Sequence, residues 1–398
     1  MKILQNTIGI VIVLGICLGI SWNRKEIRWQ AIVRALLVEF IIAFLIVKIP
    51  IGQKVITSLS DGLTAIIRCG NEGLTFVFGD LFDQSKLSVF IIQSLGNIIF
   101  VSALVGALYY LGVIGFIVKW IGKAVGKIMG TSEVESFVAV ANMFLGQTES
   151  PILVAKYLND LTESEIFVIL VSGMGSMSVS ILGGYHALGI PMEYLLTASA
   201  LVPIGSILVA KIICPQTESV KQISNVKMDP KGNHANMIEA LSEGATTGMW
   251  MIISIGASLV GFVGMIALVN LILGVVNLNL SQIFSYIFAP FGFFLGLDGN
   301  QMLREGSLLG NKLILNEFIA FEELAGYLPE LDERAGMVCA ISLSGFANLS
   351  SMGICISGIG VLCPEKRGTI SRLILKAMFG GMLVSIISAL LVSIVWLL

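Results

Sequence analysis

The sequence predicts an all-α membrane protein, with eight transmembrane helices, two re-entrant hairpins in an inverted repeat, and one helix lying in the interface. Three observations predict it. Of the 398 residues, 56% are hydrophobic and only 13% are charged, where a soluble domain has roughly 25% charged residues. A surface so poor in charge cannot face water over its whole area, but it can face lipid. Second, apolar runs recur near the ~20 residues that cross a bilayer. Third, two polar-broken stretches are each followed by an apolar run that is itself interrupted by small and polar residues.

The apolar segments fall at 4–22, 30–48, 88–118, 165–190, 193–213, 248–276, 335–362 and 372–398. The first follows a single charge, Lys2, and precedes Asn23-Arg24-Lys25 without a small-residue cleavage site. It reads as a first membrane helix rather than a cleaved leader. Region 51–80 mixes Asp61, Arg68, Asn71 and Glu72 with Leu, Ile and Phe, a pattern suited to a helix in the interface. Regions 121–162 and 281–330 hold apolar half-segments too short to cross a bilayer.

Positive charge sets orientation. Clusters at Arg24, Lys25 and Arg28, at Lys119, Lys123 and Lys127, at Lys211, Lys221, Lys227 and Lys231, and at Lys366, Arg367 and Arg372 fall on one side if the spans alternate and each broken region returns to its own side. That side reads as the cytoplasm, which puts both termini outside a multi-pass cell-membrane protein. The interrupted runs are 173–184 in span four and 344–353 in span seven. One broken region enters from inside and the other from outside, the plan of an inverted repeat whose site lies where the broken helices meet. The chain divides into 1–120 (scaffold), 121–213 (first hairpin and interrupted helix), 214–280 (loop and long helix) and 281–398 (second hairpin and interrupted helix).

Several classes fall away. A net charge of −2 with no basic patch gives nucleic acid no footprint. The six cysteines sit in or beside apolar runs without metal-ligand or disulfide-framework spacing, and read as small apolar residues. Two histidines, His186 (helix end) and His234 (loop), leave no His-rich metal site and no evident hydrolase pair, so an enzyme is not expected. A channel would repeat a pore-lining pattern, whereas here polar residues gather at two places.

The sharper place is Gly146-Gln147-Thr148-Glu149-Ser150-Pro151. Successive helical residues point about 100° apart, so these polar side chains share a target only if the backbone leaves the helix. Gly146 permits a turn, Ser150 suits an N-cap, and Pro151 the first helical position. The stretch reads as a hairpin apex buried in protein or, alternatively, as a surface loop. Glu149 is a functional carboxylate at membrane depth or half of an ion pair with a lysine. The second place is Asn316-Glu317, where Asn316 is positioned to cap a helix starting at Glu317. Glu317 is either functional or a helix-start carboxylate facing solvent, the role expected for Glu305, Glu322 and Glu323. Ser178 and Ser350 are expected to bond back to their own helices. An unwound stretch would free carbonyl oxygens for a hard cation, with Asn142, Thr148 and Ser176 as neighbours.

At these residues the chain resembles the concentrative nucleoside transporter family, its bacterial members in particular, over nearly its whole length. The most specific parts are Gly146-Gln147-Thr148-Glu149, Asn316-Glu317-Phe318 and the run from Ser344 to Ser351; Asn71-Glu72-Gly73 and Phe76 to Gly79 add to them. The resemblance implies a homotrimer, each subunit importing nucleosides through its own site. It implies a base site of Gln147, Thr148 and Glu149 with Ile181 beside the base, and a ribose site of Glu317, Asn348 and Ser351 with Phe346 nearby. In sodium-coupled members the ion sits beside the first tip, at positions matching Asn142, Leu145, Thr148, Ser176 and Met177, with Leu145 and Met177 giving only backbone oxygens. No cofactor is expected beyond the coupling ion. The alternative is proton coupling through Glu149 or Glu317.

Overall fold

The computed structural model describes all residues except 84–88, 222 and 224–233, so Lys227, Lys231 and the start of the segment predicted at 88–118 lie outside the described residues. Among the described residues every regular element is a helix. The chain opens with α1 (Lys2–Gly19), α2 (Trp29–Val47) and α3 (Pro50–Phe78), then a single turn α4 (Phe90–Gln93), α5 (Asn97–Tyr110) and α6 (Val113–Met129). The first hairpin is α7 (Glu133–Ala141), a tip, the single turn α8 (Glu149–Ile152) and a 3-10 segment Ala155–Asp160. The interrupted helix α9 (Glu163–Gly175) and α10 (Val179–Ala187) follows, then α11 (Met192–Ile213), α12 (Met237–Leu273) and α13 (Leu280–Phe294). The second hairpin is α14 (Asn300–Ile314) and α15 (Glu317–Tyr327). The second interrupted helix is α16 (Glu333–Leu343) and α17 (Leu349–Leu362), and α18 (Arg367–Leu397) ends the chain.

Seven stretches among the described residues are long and apolar enough to cross a membrane: Lys2–Gly19, Trp29–Val47, Phe90–Tyr110, Glu163–Ala187, Met192–Ile213, Met237–Val276 and Pro364–Leu397. Each matches one of the eight predicted segments. The eighth, 335–362, is two shorter helices, because the backbone leaves helical geometry between Leu343 and Leu349. The predicted third segment ends early, since Gly112 turns the chain at a φ of +77°. Lys119, Lys123 and Lys127 therefore lie on α6, not in a loop. The predicted interfacial region is the 29-residue α3, tied to α5 by Asn97 Nδ2 donating to Asn71 Oδ1 at 2.7 Å.

The described basic clusters gather at one end of the bundle. One cavity wall combines Arg28, Gly130, Lys211 and Gln216, Lys221 pairs with Asp160 at 2.9 Å, Arg372 pairs with Glu163, and Lys366 donates to the Leu161 carbonyl. The termini share the other end. Lys2 pairs with Asp298 at 2.8 Å, Lys48 donates to the Trp396 carbonyl, and buried Arg334 ties Leu295 and Gly296 to Ser393. The first hairpin starts and finishes at the basic end, where Glu135 and Ser164 both take Lys211. The second does so at the terminal end, where Arg304 meets Glu330. The two hairpins thus enter the bundle from opposite ends.

Their interrupted helices meet inside it. α18 runs along both, and at Gly381 it is so close to α9 that a Cβ there would lie 2.6 Å from the Met174 Cβ. The outer wall is α5 and α12, packed through Gly106, Gly244 and Gly248, where each added Cβ would fall within 2.7 Å of the facing backbone. α12 is 37 residues long, about 56 Å at 1.5 Å per residue. None of its apolar window is buried within one chain, which leaves Trp250, Val260, Leu271 and Val275 on an open apolar face.

Candidate functional site

The first tip begins where α7 runs out at Asn142 and ends with Thr148 as the N-cap of α8. The expected cap at Ser150 is corrected. Ser150 and Pro151 lie inside α8, and the Ser150 Oγ is buried without a partner. The physical reason is the Glu149 side chain, which folds back to accept from Gly146 N at 3.2 Å and closes the turn two residues earlier than the sequence suggests. No ion pair to Glu149 occurs among the described residues. Glu149 instead lines a cavity of about 660 Å³, together with Leu145, Ile152, Lys156, Ser180 and Tyr109, within the ~300–1,000 Å³ range of small-molecule sites. Gln147 is buried against Gly173, whose added Cβ would lie 3.1 Å from the Gln147 Cβ, and its Oε1 accepts from the Cys355 thiol at 3.4 Å. Thr148 packs its methyl on Gly358 of α17.

Beside this tip α9 stops. Residues 176–178 leave helical geometry, with Ser176 at φ −97°, ψ 166° and Ser178 at φ −73°, ψ 149°. Ser176 Oγ donates to the Gly173 carbonyl at 3.2 Å, and Val179 N donates to the Phe144 carbonyl, fastening tip to break. The back-bond expected of Ser178 does not form. Ser178 is the N-cap of α10, has no helical turn behind it, and its Oγ is buried without a partner. Ser350 is likewise in the first turn of α17, where no helical carbonyl lies behind it.

The second tip follows expectation at Asn316, whose Oδ1 accepts from Ile319 N at 3.2 Å and caps α15. Glu317, 4% exposed, is not a solvent-facing carboxylate. Tyr185 Oη donates to its Oε1 at 2.9 Å and Asn348 Nδ2 to its Oε2 at 3.0 Å. Asn348 also caps α17, its Oδ1 accepting from Ser351 N at 2.8 Å. Ile181 and Tyr185, one turn apart on α10, share a face, and Tyr185 is clamped between Phe318 and Phe321 with ring centroids 4.6 Å away in each case. Phe346 is buried within the second break, and its N–H donates to the Ser176 carbonyl at 3.2 Å. The two breaks are thus hydrogen-bonded to each other. α17 links the two tips, since its N-cap Asn348 donates to Glu317 while Cys355, one turn beyond Ser351, holds Gln147.

Glu305 departs from expectation. It is fully buried, and the Ser342 hydroxyl donates to it, because the face of α14 that carries it packs on α13 and α16. Glu322 and Glu323 are exposed, as expected. The cysteines are all free; five are buried and Cys69 is exposed. Three contributors escaped the sequence reading: Tyr185, Cys355 and Lys312. Only Lys312 carried a signal, an ionisable residue alone in an apolar run.

Of the positions expected to hold a cation (Asn142, Leu145, Thr148, Ser176 and Met177), Asn142 offers a free ligand. Asn142 Nδ2 donates to Ser172 Oγ at 2.9 Å, while Asn142 Oδ1 is buried with no partner. A buried acceptor left unpaired costs about 1–3 kcal/mol, and a cation would satisfy it.

Three family models cover the chain: Na+ dependent nucleoside transporter N-terminus over 8–81, nucleoside recognition over 91–192, and Na+ dependent nucleoside transporter C-terminus over 194–393. The chain belongs to the concentrative, Na+ dependent nucleoside transporter family. Membership makes it a membrane transporter rather than an enzyme. Among its relatives are an uncharacterized transporter of Haemophilus influenzae, 38% identical over 98% of this chain and 97% of that one, and the nucleoside permease NupC of Helicobacter pylori, 36% identical over 97% and 96%. The solved structure of CNTnw in an inward-facing substrate-bound state superposes with a TM-score of 0.93 at 33% identity, over 99% of this chain and 98% of that one.

Proposed function

We propose that the chain is a symporter that brings nucleosides into the cell with Na+. The observation that carries the reading is the unpartnered Asn142 Oδ1, buried at the first tip beside an unwound helix end and the Gln147–Glu149 cluster. Asn142, Thr148 and Ser176, with the carbonyls of Leu145 and Met177, would hold the ion, which supplies positive charge that fixes tip and break in one arrangement. Gln147, Thr148 and Glu149, with Ile181, recognise the base. Glu317, Asn348 and Ser351, with Phe346, recognise the ribose, whose hydroxyls a carboxylate accepts and an amide satisfies both ways. In the present arrangement Tyr185 and Asn348 occupy both Glu317 oxygens, so ribose binding exchanges one donor for another and leaves no carboxylate oxygen bare.

The two hairpin halves, 121–213 and 281–398, form the moving unit against 1–120 and 214–280. The basic end faces the cytoplasm with both termini outside, and the open face of α12 packs against its copies in a homotrimer. The test is uptake of radiolabelled uridine by proteoliposomes at fixed pH, with Na+ or with choline. Uptake that requires Na+ and is competed by nucleosides but not by uracil supports the reading. Equal rates in the two buffers overturn sodium coupling and favour proton coupling through Glu149 or Glu317; equal competition by uracil overturns the ribose set.

A further inference from the structure

Lys312 is fully buried, and it donates to none of the residues proposed above for base, ribose or ion. An ammonium has three donors and no acceptor, and all three donors are used. Nζ donates to the Ser342 carbonyl at 3.0 Å, the Ser344 carbonyl at 2.6 Å and Ser385 Oγ at 3.0 Å. Two of these oxygens are the loose carbonyls at the C-terminal end of α16, where a helix carries partial negative charge and its last carbonyls lack intrahelical partners. The ammonium is therefore bound as a free cation would be, by oxygens alone, at the end of a broken helix.

The first half repeats the plan. α9 ends at Ser176 and α16 at Ser344, both in extended conformation. Each C-cap hydroxyl turns back on its own helix, Ser176 Oγ to Gly173 at 3.2 Å and Ser344 Oγ to Ile341 at 2.7 Å. The two breaks are joined by the Phe346–Ser176 hydrogen bond. Asn142 stands five residues before Gln147 on the first hairpin, and Lys312 five residues before Glu317 on the second. Beside the first break, the side-chain oxygen of Asn142 is buried and unsatisfied, with its Nδ2 donating to Ser172 on α9. At the second, an ammonium fills the corresponding place. Glu305, two turns back along α14, accepts from the Ser342 hydroxyl.

We infer that Lys312 is a resident, tethered cation that fills at the second half the place Na+ takes at the first, so that the carrier exchanges one cation per cycle rather than two. The inference rests on the sodium reading of the first tip. It makes Lys312 a positioning residue, which holds the α16 break and through it Asn348 and Glu317.

The experiment is Na+ titration of uridine binding to purified full-length protein, wild type against Lys312→Ala, Lys312→Ser and Lys312→Gln. At low Na+, Lys312→Ala loses uridine affinity about 10- to 100-fold. High Na+ restores it with a Hill coefficient rising from about one toward about two, since the vacated oxygens now take an ion of their own. Methylammonium at fixed low Na+ restores it too. Lys312→Gln fills the space without charge, so neither cation rescues it. If Lys312→Ala does not fold, Lys312→Ser, which adds an oxygen to the vacated shell, is judged by the same criterion. Wild-type affinity in the Ala variant, or a loss that neither Na+ nor methylammonium reverses in a folded variant, overturns the inference. Uridine binding indifferent to Na+ in the wild type would sink the sodium reading of the first tip instead, while methylammonium rescue would still report on Lys312 alone.

Discussion

At the scale of single residues, the site is built from side chains that satisfy one another before any ligand arrives. Glu317 accepts from both Tyr185 and Asn348, which fixes the carboxylate and places both its oxygens at the meeting of α10, α15 and α17. This geometry sets the outcome of Glu317→Gln. A glutamine offers one oxygen and one NH2 group, so one of the two donors then faces another donor. The change loses a charged acceptor worth about 1.5–3 kcal/mol, or about 10- to 100-fold in uridine affinity, with the protein still folded. Equilibrium binding together with a melting curve checks this, and wild-type affinity in a folded variant would remove Glu317 from the site. Ser176→Ala acts on the ion instead. It removes one hydroxyl of the proposed ion shell, so half-saturating Na+ rises several-fold while uridine affinity at saturating Na+ stays close to wild type. Na+ titration of uptake separates the two effects.

At the scale of elements, the decisive feature is the crossing of two broken helices. Unwound backbone deep in a bundle is tolerated where it lines a cavity or is buried in protein, and here the Phe346 N–H bonds the Ser176 carbonyl across the two breaks. Gly345 makes the crossing possible. Its φ is +92°, and an added Cβ would lie 2.6 Å from the Gly175 carbonyl oxygen. Gly345→Ala therefore combines a left-handed conformation, costing about 1–3 kcal/mol, with a collision against backbone that has no side-chain freedom to yield. The expected result is a lower melting temperature together with loss of both Na+ and uridine binding, because the crossing positions the two tips at once. A thermal shift assay and binding on one preparation report on this, and loss of only one ligand would show that the breaks are not coupled.

At the scale of the whole molecule, two hairpins enter from opposite ends and their tips are linked by α17, so events at one tip reach the other. Na+ and uridine should bind with positive and reciprocal coupling, each tightening the other by the same factor. Calorimetric titration of each ligand with and without the other tests that equality, and unequal factors would contradict a single coupled site. The driving force is adequate. One charge moving through 100 mV yields about 2.3 kcal/mol and a tenfold ion gradient about 1.4 kcal/mol, enough for roughly a 500-fold nucleoside gradient per ion.

The sequence by itself determined the helical membrane class, the places where helices break, and the two polar tips. Each of these is a local property of hydrophobicity, glycine and capping chemistry read over a few residues. Asn316 is the clearest case, since the cap it makes needs only the next three residues. The alternatives left open at Glu149 and Glu317 were open because solvent exposure is decided by what packs on a helix, and nothing near Glu317 in sequence names Tyr185, 132 residues away. The same reason misplaced Glu305, which is polar in its own neighbourhood but buried once α14 meets α13 and α16. Ser150 looked like a cap, yet the Glu149–Gly146 bond had already closed the turn. Only the tertiary structure brought the breaks together, put Cys355 on Gln147 and wrapped Lys312 in the oxygens of α16 and α18, because long-range packing, not local propensity, decides which buried polar groups find partners.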